Sequence, residues 1–182
     1  RDTPVDWAVA VTFESEDWEE RLEEHQPHIL LVESAWRGNG ESWRYAVGTY
    51  PRAELRGLPK LRALVSWCRE RDIPTAFWGK EDPIHFDRFK EAATLFDYIF
   101  TTDGNCLPKY GQLPRDGSGA IRTLQFAAQP RIHNPIAPEG ERSDAPCFAG
   151  TYYKDRHVDR RRSLEMLLDA ARPLGLVIYD RT

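Results

Sequence analysis

The sequence predicts an α/β protein, with a parallel sheet flanked by helices and the beginning of a second unit built the same way. Three observations predict it. Short apolar or aromatic runs of strand length alternate with segments whose apolar residues recur at helical spacing, the pattern of repeated strand–helix–strand units. The run His28–Glu33 is apolar almost without a break, as suits a strand in a sheet covered on both faces. A stretch of linker composition, residues 127–146 with Pro130, Pro135, Pro138 and Pro146, separates a long series of such units from a short one.

Composition sets the outer limits. The chain has 182 residues, 41% hydrophobic and 30% charged, enough to bury the core of one domain, or of one domain and part of another. A formal net charge of −4 leaves no basic footprint, which argues against nucleic acid as the main partner. No apolar run nears the roughly 18 residues that a membrane-spanning helix needs, and no signal-peptide pattern opens the sequence. A cytoplasmic protein is expected, and a peripheral position at the inner face of the membrane is compatible with it. Cys68, Cys106 and Cys147 lie far apart and read as reduced structural thiols, not as a disulfide framework or a zinc site.

Taken in order, Trp7–Phe13 is the first expected strand. Ser15 is the expected N-cap of a short helix that carries Glu16 and Asp17 in its first turn and Trp18, Leu22 and His25 on one face, and Pro27 ends it. His28–Glu33 is the second strand, and His25 and His28 read as turn or rim histidines. Ser34–Pro51 is too long for an ordinary strand-to-helix connection. It keeps Trp36, Trp43 and Tyr45 around Gly38-Asn39-Gly40, aromatics that either stack on a sugar or a base or cap the core. The helix Pro59–Arg71 turns Leu58, Leu61, Leu64, Val65 and Cys68 inward, with Lys60, Arg62, Arg69 and Arg71 on a solvated face. Pro74–Trp78 is the third strand, and Phe86, Phe89, Ala92, Ala93 and Phe96 mark the next helix. Asp97–Thr102 is the fourth strand, Cys106–Tyr110 a short helix, Pro114–Gly119 a turn region and Ile121–Phe126 a weak fifth strand. Past the linker come a strand and turn over Pro146–Tyr152, a helix over His157–Arg172 stopped by Pro173, and a strand over Leu176–Tyr179.

Chemistry gathers in Trp78-Gly79-Lys80-Glu81-Asp82-Pro83-Ile84-His85-Phe86-Asp87, where an aromatic, a cation, three carboxylates and an imidazole share one strand-to-helix junction. In open parallel sheets such loops, at the carboxyl ends of strands, form the ligand crevice. Asp82-Pro83 also reads as a plain helix start, an acid at the dipole with proline in the first turn. The fourth strand delivers Thr101, Thr102, Asp103, Gly104 and Asn105 to the same edge.

The segments Glu33-Ser-Ala-Trp-Arg-Gly-Asn39, Trp67-Cys-Arg-Glu-Arg-Asp-Ile-Pro74, Phe77–Asp87, Phe96-Asp-Tyr-Ile-Phe-Thr-Thr-Asp103, and Phe148-Ala-Gly-Thr-Tyr-Tyr153 with Ile178-Tyr-Asp-Arg181 together resemble one family. It is the glycosyltransferase group whose best-known member is the spore maturation protein CgeB, found also among bacterial polysaccharide and teichoic-acid glycosylation enzymes. The resemblance covers most of the chain from about residue 27 onward. It implies the GT-B architecture of two Rossmann-like domains. Residues 1–140 would be the N-terminal, acceptor-side domain, and 141–182 the linker and first βαβ unit of the C-terminal, donor-binding domain. It implies a hexosyltransferase-like enzyme that moves a sugar from a nucleotide-sugar donor to a cell-surface polysaccharide, teichoic-acid or related glycan or polyol-phosphate acceptor. The donor is a co-substrate, and no cofactor is expected. A donor domain of this family has more βα units than Pro146–Thr182 holds, and the Glu14-Ser15 connection is shorter than the resemblance implies.

No Asp-x-Asp occurs, so the divalent-metal site of the other large glycosyltransferase fold has no support and no metal site is expected. Gly-x-Gly-x-x-Gly, a P-loop, His-Glu-x-x-His and Gly-x-Ser-x-Gly are absent as well. A departing nucleoside diphosphate then needs helix N-termini, backbone amides and cations. Gly150, Thr151, Tyr152 and Arg160 are the donor-phosphate candidates, with Lys154 and Arg156 nearby. An inverting reaction also needs a base, and Glu81, Asp82 and His85 are the catalytic candidates. His85 has the better reference pKa, although burial tunes carboxylates upward. In a retaining reaction the same groups would only orient the acceptor. Glu33, Trp36, Asn39, Trp43, Trp78, Lys80, Thr102 and Asp103 are the acceptor-side candidates. A sugar-nucleotide epimerase of the same architecture and a non-catalytic binding or assembly module are the alternatives.

Overall fold

The computed structural model describes residues 10–50, 56–134, 136, 143–155 and 157–180. The chain divides into two compact units, residues 1–128 and 129–182. The first contains α1 (Trp18–His25), β1 (Leu30–Glu33), α2 (Leu58–Arg69), β2 (Thr75–Gly79), α3 (Phe86–Ala93), β3 (Tyr98–Thr101), α4 (Leu107–Gly111) and β4 (Ile121–Thr123). The second contains β5 (Cys147–Gly150), α5 (Val158–Ala171) and β6 (Val177–Asp180).

In the first unit all four strands are parallel, in the order β1-β2-β3-β4, with Leu30 opposite Thr75, Phe77 opposite Ile99 and Thr101 opposite Thr123. Strand parity assigns Leu30, Thr75, Phe77, Ile99 and Thr101 to one face, and all five are buried. The apolar members of that face join Leu61, Leu64 and Val65 of α2, Phe89 of α3, and Phe96 in one core. Crossovers between parallel strands are right-handed, so an order that never reverses carries its crossover helices to a single face. The opposite face stays half open, with Leu31 55% and Tyr98 40% exposed. Among the described residues the expected cover on both faces is therefore present on one. The apolar run His28–Glu33 reflects this, since the strand is Leu30–Glu33 and Ile29 before it is exposed.

Several local expectations shift for identifiable reasons. Of the expected first strand, Trp7–Val9 lie outside the described residues, and Ala10–Phe13 belong to no strand. The first helix is capped at Asp17, not Ser15, and without a side-chain cap bond. The Asp17 carboxylate reaches backwards to accept the Glu14 N–H at 2.7 Å, while the Ser15 hydroxyl donates to Glu16. The helix ends through Gln26 in the left-handed region, φ 45°, one residue before Pro27. Arg69 is not on a solvated face: its guanidinium donates to Asp97 Oδ1 at 2.9 Å and to the Leu95 carbonyl at 2.6 Å. The helix expected at Asp82-Pro83 begins instead at Phe86, because residues 80–85 form turns that lead the Asp82 carboxylate inward. The weak fifth strand is limited to Ile121–Thr123.

The aromatic loop after β1 folds on itself around a 3-10 turn, Asn39–Glu41, and buries Trp43, Ala46 and Val47. Gly38 has φ 70°, and a Cβ there would lie 2.6 Å from the Trp43 Cβ, so the loop needs glycine at this point.

In the second unit β5 and β6 pair in parallel, from Cys147 opposite Val177 to Gly150 opposite Asp180, and α5 is the crossover between them. Pro173 lies inside a 3-10 turn, Arg172–Leu174, that continues α5. No residue of α5 is buried. Among the described residues no helix is long and apolar enough to cross a membrane.

Candidate functional site at the carboxyl edge of the sheet

β1, β2 and β3 end side by side at Glu33, Gly79 and Thr101, so the loops that follow them share one edge. Ser34, fully buried, donates its N–H to the Trp78 carbonyl at 2.9 Å, and its hydroxyl accepts the Glu81 N–H at 3.0 Å. That contact fixes the start of the Lys80–His85 loop against β1. Lys80 Nζ then lies 2.9 Å from Glu33 Oε2, and the His85 N–H donates to the Glu81 carbonyl at 3.0 Å. One turn of chain places His85 Nε2 3.9 Å from Glu81 Oε2, with the two side chains 39% and 31% exposed. The Trp36 ring stands edge-on to His85 at 5.0 Å, to Phe89 at 4.8 Å and to Tyr50 at 5.3 Å, and the Tyr50 hydroxyl donates to the Trp36 carbonyl. The fold thus gathers Glu33, Trp36, Lys80, Glu81 and His85 on one rim. An imidazole beside a carboxylate can accept a proton and be stabilised as the cation, and the ion pair and indole can orient a hydroxylated ligand.

Asp82 faces elsewhere. Its Oδ2 lies 2.6 Å from the Thr101 hydroxyl and 3.1 Å from the Tyr110 hydroxyl, and its peptide bond to Pro83 is cis. Burial pushes the Asp82 carboxyl above the usual range, and the Asp103 charge adds to this. The Thr101 and Tyr110 hydroxyls and the Lys109 charge oppose the rise without cancelling it. Burial likewise pushes up the Tyr110 phenol and the Cys106 thiol. Gly79 makes the arrangement sterically feasible, since a Cβ there would lie 2.5 Å from Asp82 Oδ2 and 2.8 Å from the Tyr110 hydroxyl. Tyr110 takes part as well, although in the sequence it is only the end of an expected short helix. The only signal for it is its place in the helix that follows the fourth strand.

The remaining acceptor-side candidates are spread more widely. Thr102 donates its N–H to the Gly79 carbonyl at 3.4 Å, and its hydroxyl lies 3.3 Å from the Asp82 carbonyl. Asp103 caps the 3-10 turn Gly104–Cys106 by accepting the Asn105 N–H at 2.8 Å. Trp78 donates its indole N–H to the Leu124 carbonyl at 3.0 Å, and its ring lies 5.2 Å from that of Phe126, which is 65% exposed. Asn39 and Trp43 both donate to the Phe13 carbonyl, at 2.9 and 3.4 Å. Trp43 is a core residue, and together these two hold the aromatic loop to the segment before α1.

In the second unit Gly150 is the last residue of β5, and the loop after it leads into α5. A small pocket is lined by Thr151, Tyr152, Tyr153, His157, Arg160 and Arg161. Arg160 sits over the Tyr153 ring at 5.6 Å, Tyr152 donates to Glu165 at 2.5 Å, and Arg161 donates to the Lys154 carbonyl. Three of the four donor-phosphate candidates therefore line one pocket near the start of a 14-residue helix.

A parallel sheet with crossover helices and polar side chains collected at its carboxyl edge defines an α/β protein of Rossmann-like type. Comparison of the chain with known protein families, with curated proteins and with solved structures finds no match.

Proposed function

We propose that this chain is the acceptor-side portion and the first donor-side element of a glycosyltransferase. It moves a sugar from a nucleotide-sugar donor to a cell-surface polysaccharide, teichoic-acid or related acceptor, by metal-independent GT-B chemistry. The observation that carries the reading is the Glu81–His85 pair beside the Trp36 ring, on the carboxyl edge where parallel sheets hold ligands. The resemblance of the ordered segments to the CgeB-like family supports the same reading.

In an inverting course the acceptor hydroxyl gives its proton to His85 as its oxygen attacks the anomeric carbon. The bond from that carbon to the diphosphate breaks, and the diphosphate leaves with the electron pair. Glu81 stabilises the imidazolium, the Trp36 ring supports an apolar sugar face, and Lys80 with Glu33 bonds neighbouring hydroxyls. In the second unit Thr151, Tyr152 and Arg160 serve the donor diphosphate. A retaining course would leave Glu81 and His85 to orient the acceptor.

The test is a thermal-shift screen of the full protein against nucleoside diphosphates and nucleotide sugars, with and without EDTA, followed by transfer assays with the donor found. One nucleotide class should raise the midpoint selectively, and EDTA should not alter the rise. His85→Ala should then lower turnover by about 100-fold or more. Absence of any nucleotide shift overturns the donor assignment. Conversion of the donor without an acceptor identifies an epimerase, and undiminished function in Glu81→Ala and His85→Ala identifies a non-catalytic binding module.

A further inference from the structure

A ligand seated on the rim has to match what Glu33, Trp36, Lys80, Glu81 and His85 leave unused. Hydrogen-bond donors there are almost all committed. Lys80 Nζ is held by Glu33 Oε2 at 2.9 Å, and on the neighbouring aromatic loop Arg37 and Arg44 both lie against Glu41, at 2.6 and 3.7 Å. Backbone amides are engaged too. Lys80 and Asp82 donate to the Trp78 and Gly79 carbonyls, Glu81 to the Ser34 hydroxyl and His85 to the Glu81 carbonyl. At the entry to α3 the Phe86 and Arg88 N–H groups donate to the Pro83 and His85 carbonyls, at 3.4 and 2.8 Å. The charges of Arg88 in α3 and Lys109 in α4 act on Asp87.

Acceptors, by contrast, are in surplus. Among the described residues no hydrogen bond reaches Glu33 Oε1, the Glu81 carboxylate or Asp103 Oδ2. Asp103 Oδ1 takes both the N–H and the side-chain amide of Asn105, at 2.8 and 2.9 Å. A carboxylate only accepts hydrogen bonds and so does a phosphodiester, whereas a hydroxyl also donates. A phosphate brought to this edge would face three carboxylates and would have to draw Lys80 away from Glu33. A sugar ring finds acceptors for its hydroxyls and, for its apolar face, the Trp36 indole. We infer that the rim takes an uncharged, hydroxyl-rich chain end, so that of the acceptors implied above a neutral glycan is used and a polyol phosphate is not. The inference rests on the reading of this edge as the acceptor side of a glycosyltransferase, and it narrows that reading to one substrate class.

An array of neutral oligosaccharides, uronic-acid oligosaccharides and glycerol- and ribitol-phosphate oligomers, probed with the full protein, tests it. The strongest member of each class is then titrated by calorimetry at low and at physiological salt. The neutral class should bind at least about tenfold more tightly than either anionic class, with an affinity that salt leaves unchanged. Trp36→Ala should weaken that binding by about tenfold. Glu33→Gln, an exposed change that leaves Lys80 without its carboxylate, should strengthen phosphate-oligomer binding by about fivefold or more and make it fall with salt. Equal or tighter binding of an anionic class, or binding of no class, overturns the inference, as does a phosphate affinity that Glu33→Gln fails to raise. With the donor in hand, transfer to a polyol phosphate overturns this choice of substrate and leaves the transferase reading standing. Binding of a neutral glycan without any transfer does the reverse.

Discussion

Gly79 and Asp82 show how one residue's size decides what its neighbour can do. Any side chain at position 79 displaces either the Asp82 carboxylate or the Tyr110 hydroxyl, both packed against the glycine. Gly79→Ala is therefore expected to lower unfolding stability by about 1–3 kcal/mol, read as a lower urea midpoint at unchanged slope. Asp82 carries a pH dependence of defined sign. Its folded pKa lies above the ordinary value of 3.8, so its contribution to stability is complete below that value and is lost as pH rises through the folded one. Asp82→Asn should accordingly gain on the wild type as pH is raised from about 4 to 7, when melting temperatures are compared across pH. An equal difference at every pH would contradict this. None of it is visible in the local sequence, where Asp82-Pro83 has the composition of a helix start. What turns the carboxylate inward is contact with residues 19 and 28 positions further on.

Elements, by contrast, were legible wherever a regular period met one large core. Phe86, Phe89, Ala92 and Ala93 are spaced as a helix needs and are all buried in α3. Leu61, Leu64, Val65 and Cys68 do the same for α2. Element ends were harder to read because distant partners set them. Arg69, which local pattern assigns to solvent, ties the end of α2 to Asp97 at the foot of β3, and Asp97 Oδ2 also accepts the Thr75 N–H at 3.0 Å and its hydroxyl at 2.7 Å. Burial acts to raise the Asp97 pKa, but the Thr75 and Arg69 hydrogen bonds prevail and hold it below the ordinary 3.8. The stability it supplies is present above that value and is lost as pH falls through the lowered one. Asp97→Asn should cost about 1–3 kcal/mol at pH 7 by chemical denaturation, and the deficit should shrink toward acid pH. The candidate rim was legible in part. Glu81 and His85 were legible as separate candidates, whereas their pairing required the turns of residues 80–85, and the approach of Trp36 and Lys80 required the parallel pairing of β1 with β2.

At the scale of the molecule, the two units differ in what protects them. α2 buries five residues and α5 none. Amides of Val158–Ala171 should therefore exchange at least about tenfold faster than those of Leu58–Arg69 in this chain, and equal protection would show that α5 has cover in solution. The contacts divide the chain between Ala128 and Gln129, near the start of the proline-rich interval, and how far each unit is covered depends on contacts that composition does not carry.

The unreversed strand order has one more effect. Along the rim, among the described residues, contacts run mainly between segments that follow neighbouring strands, and the segment after β4 also reaches back to Trp78 at the end of β2. The residues after β1 meet those after β2 through Ser34 and Glu81, those after β2 meet β3 through Asp82 and Thr101, and those after β3 meet β4 through Thr102 and Gln125. An exchange in one loop thus disturbs chiefly the segments beside it, save at Trp78, where a change at the end of β2 also reaches the segment after β4.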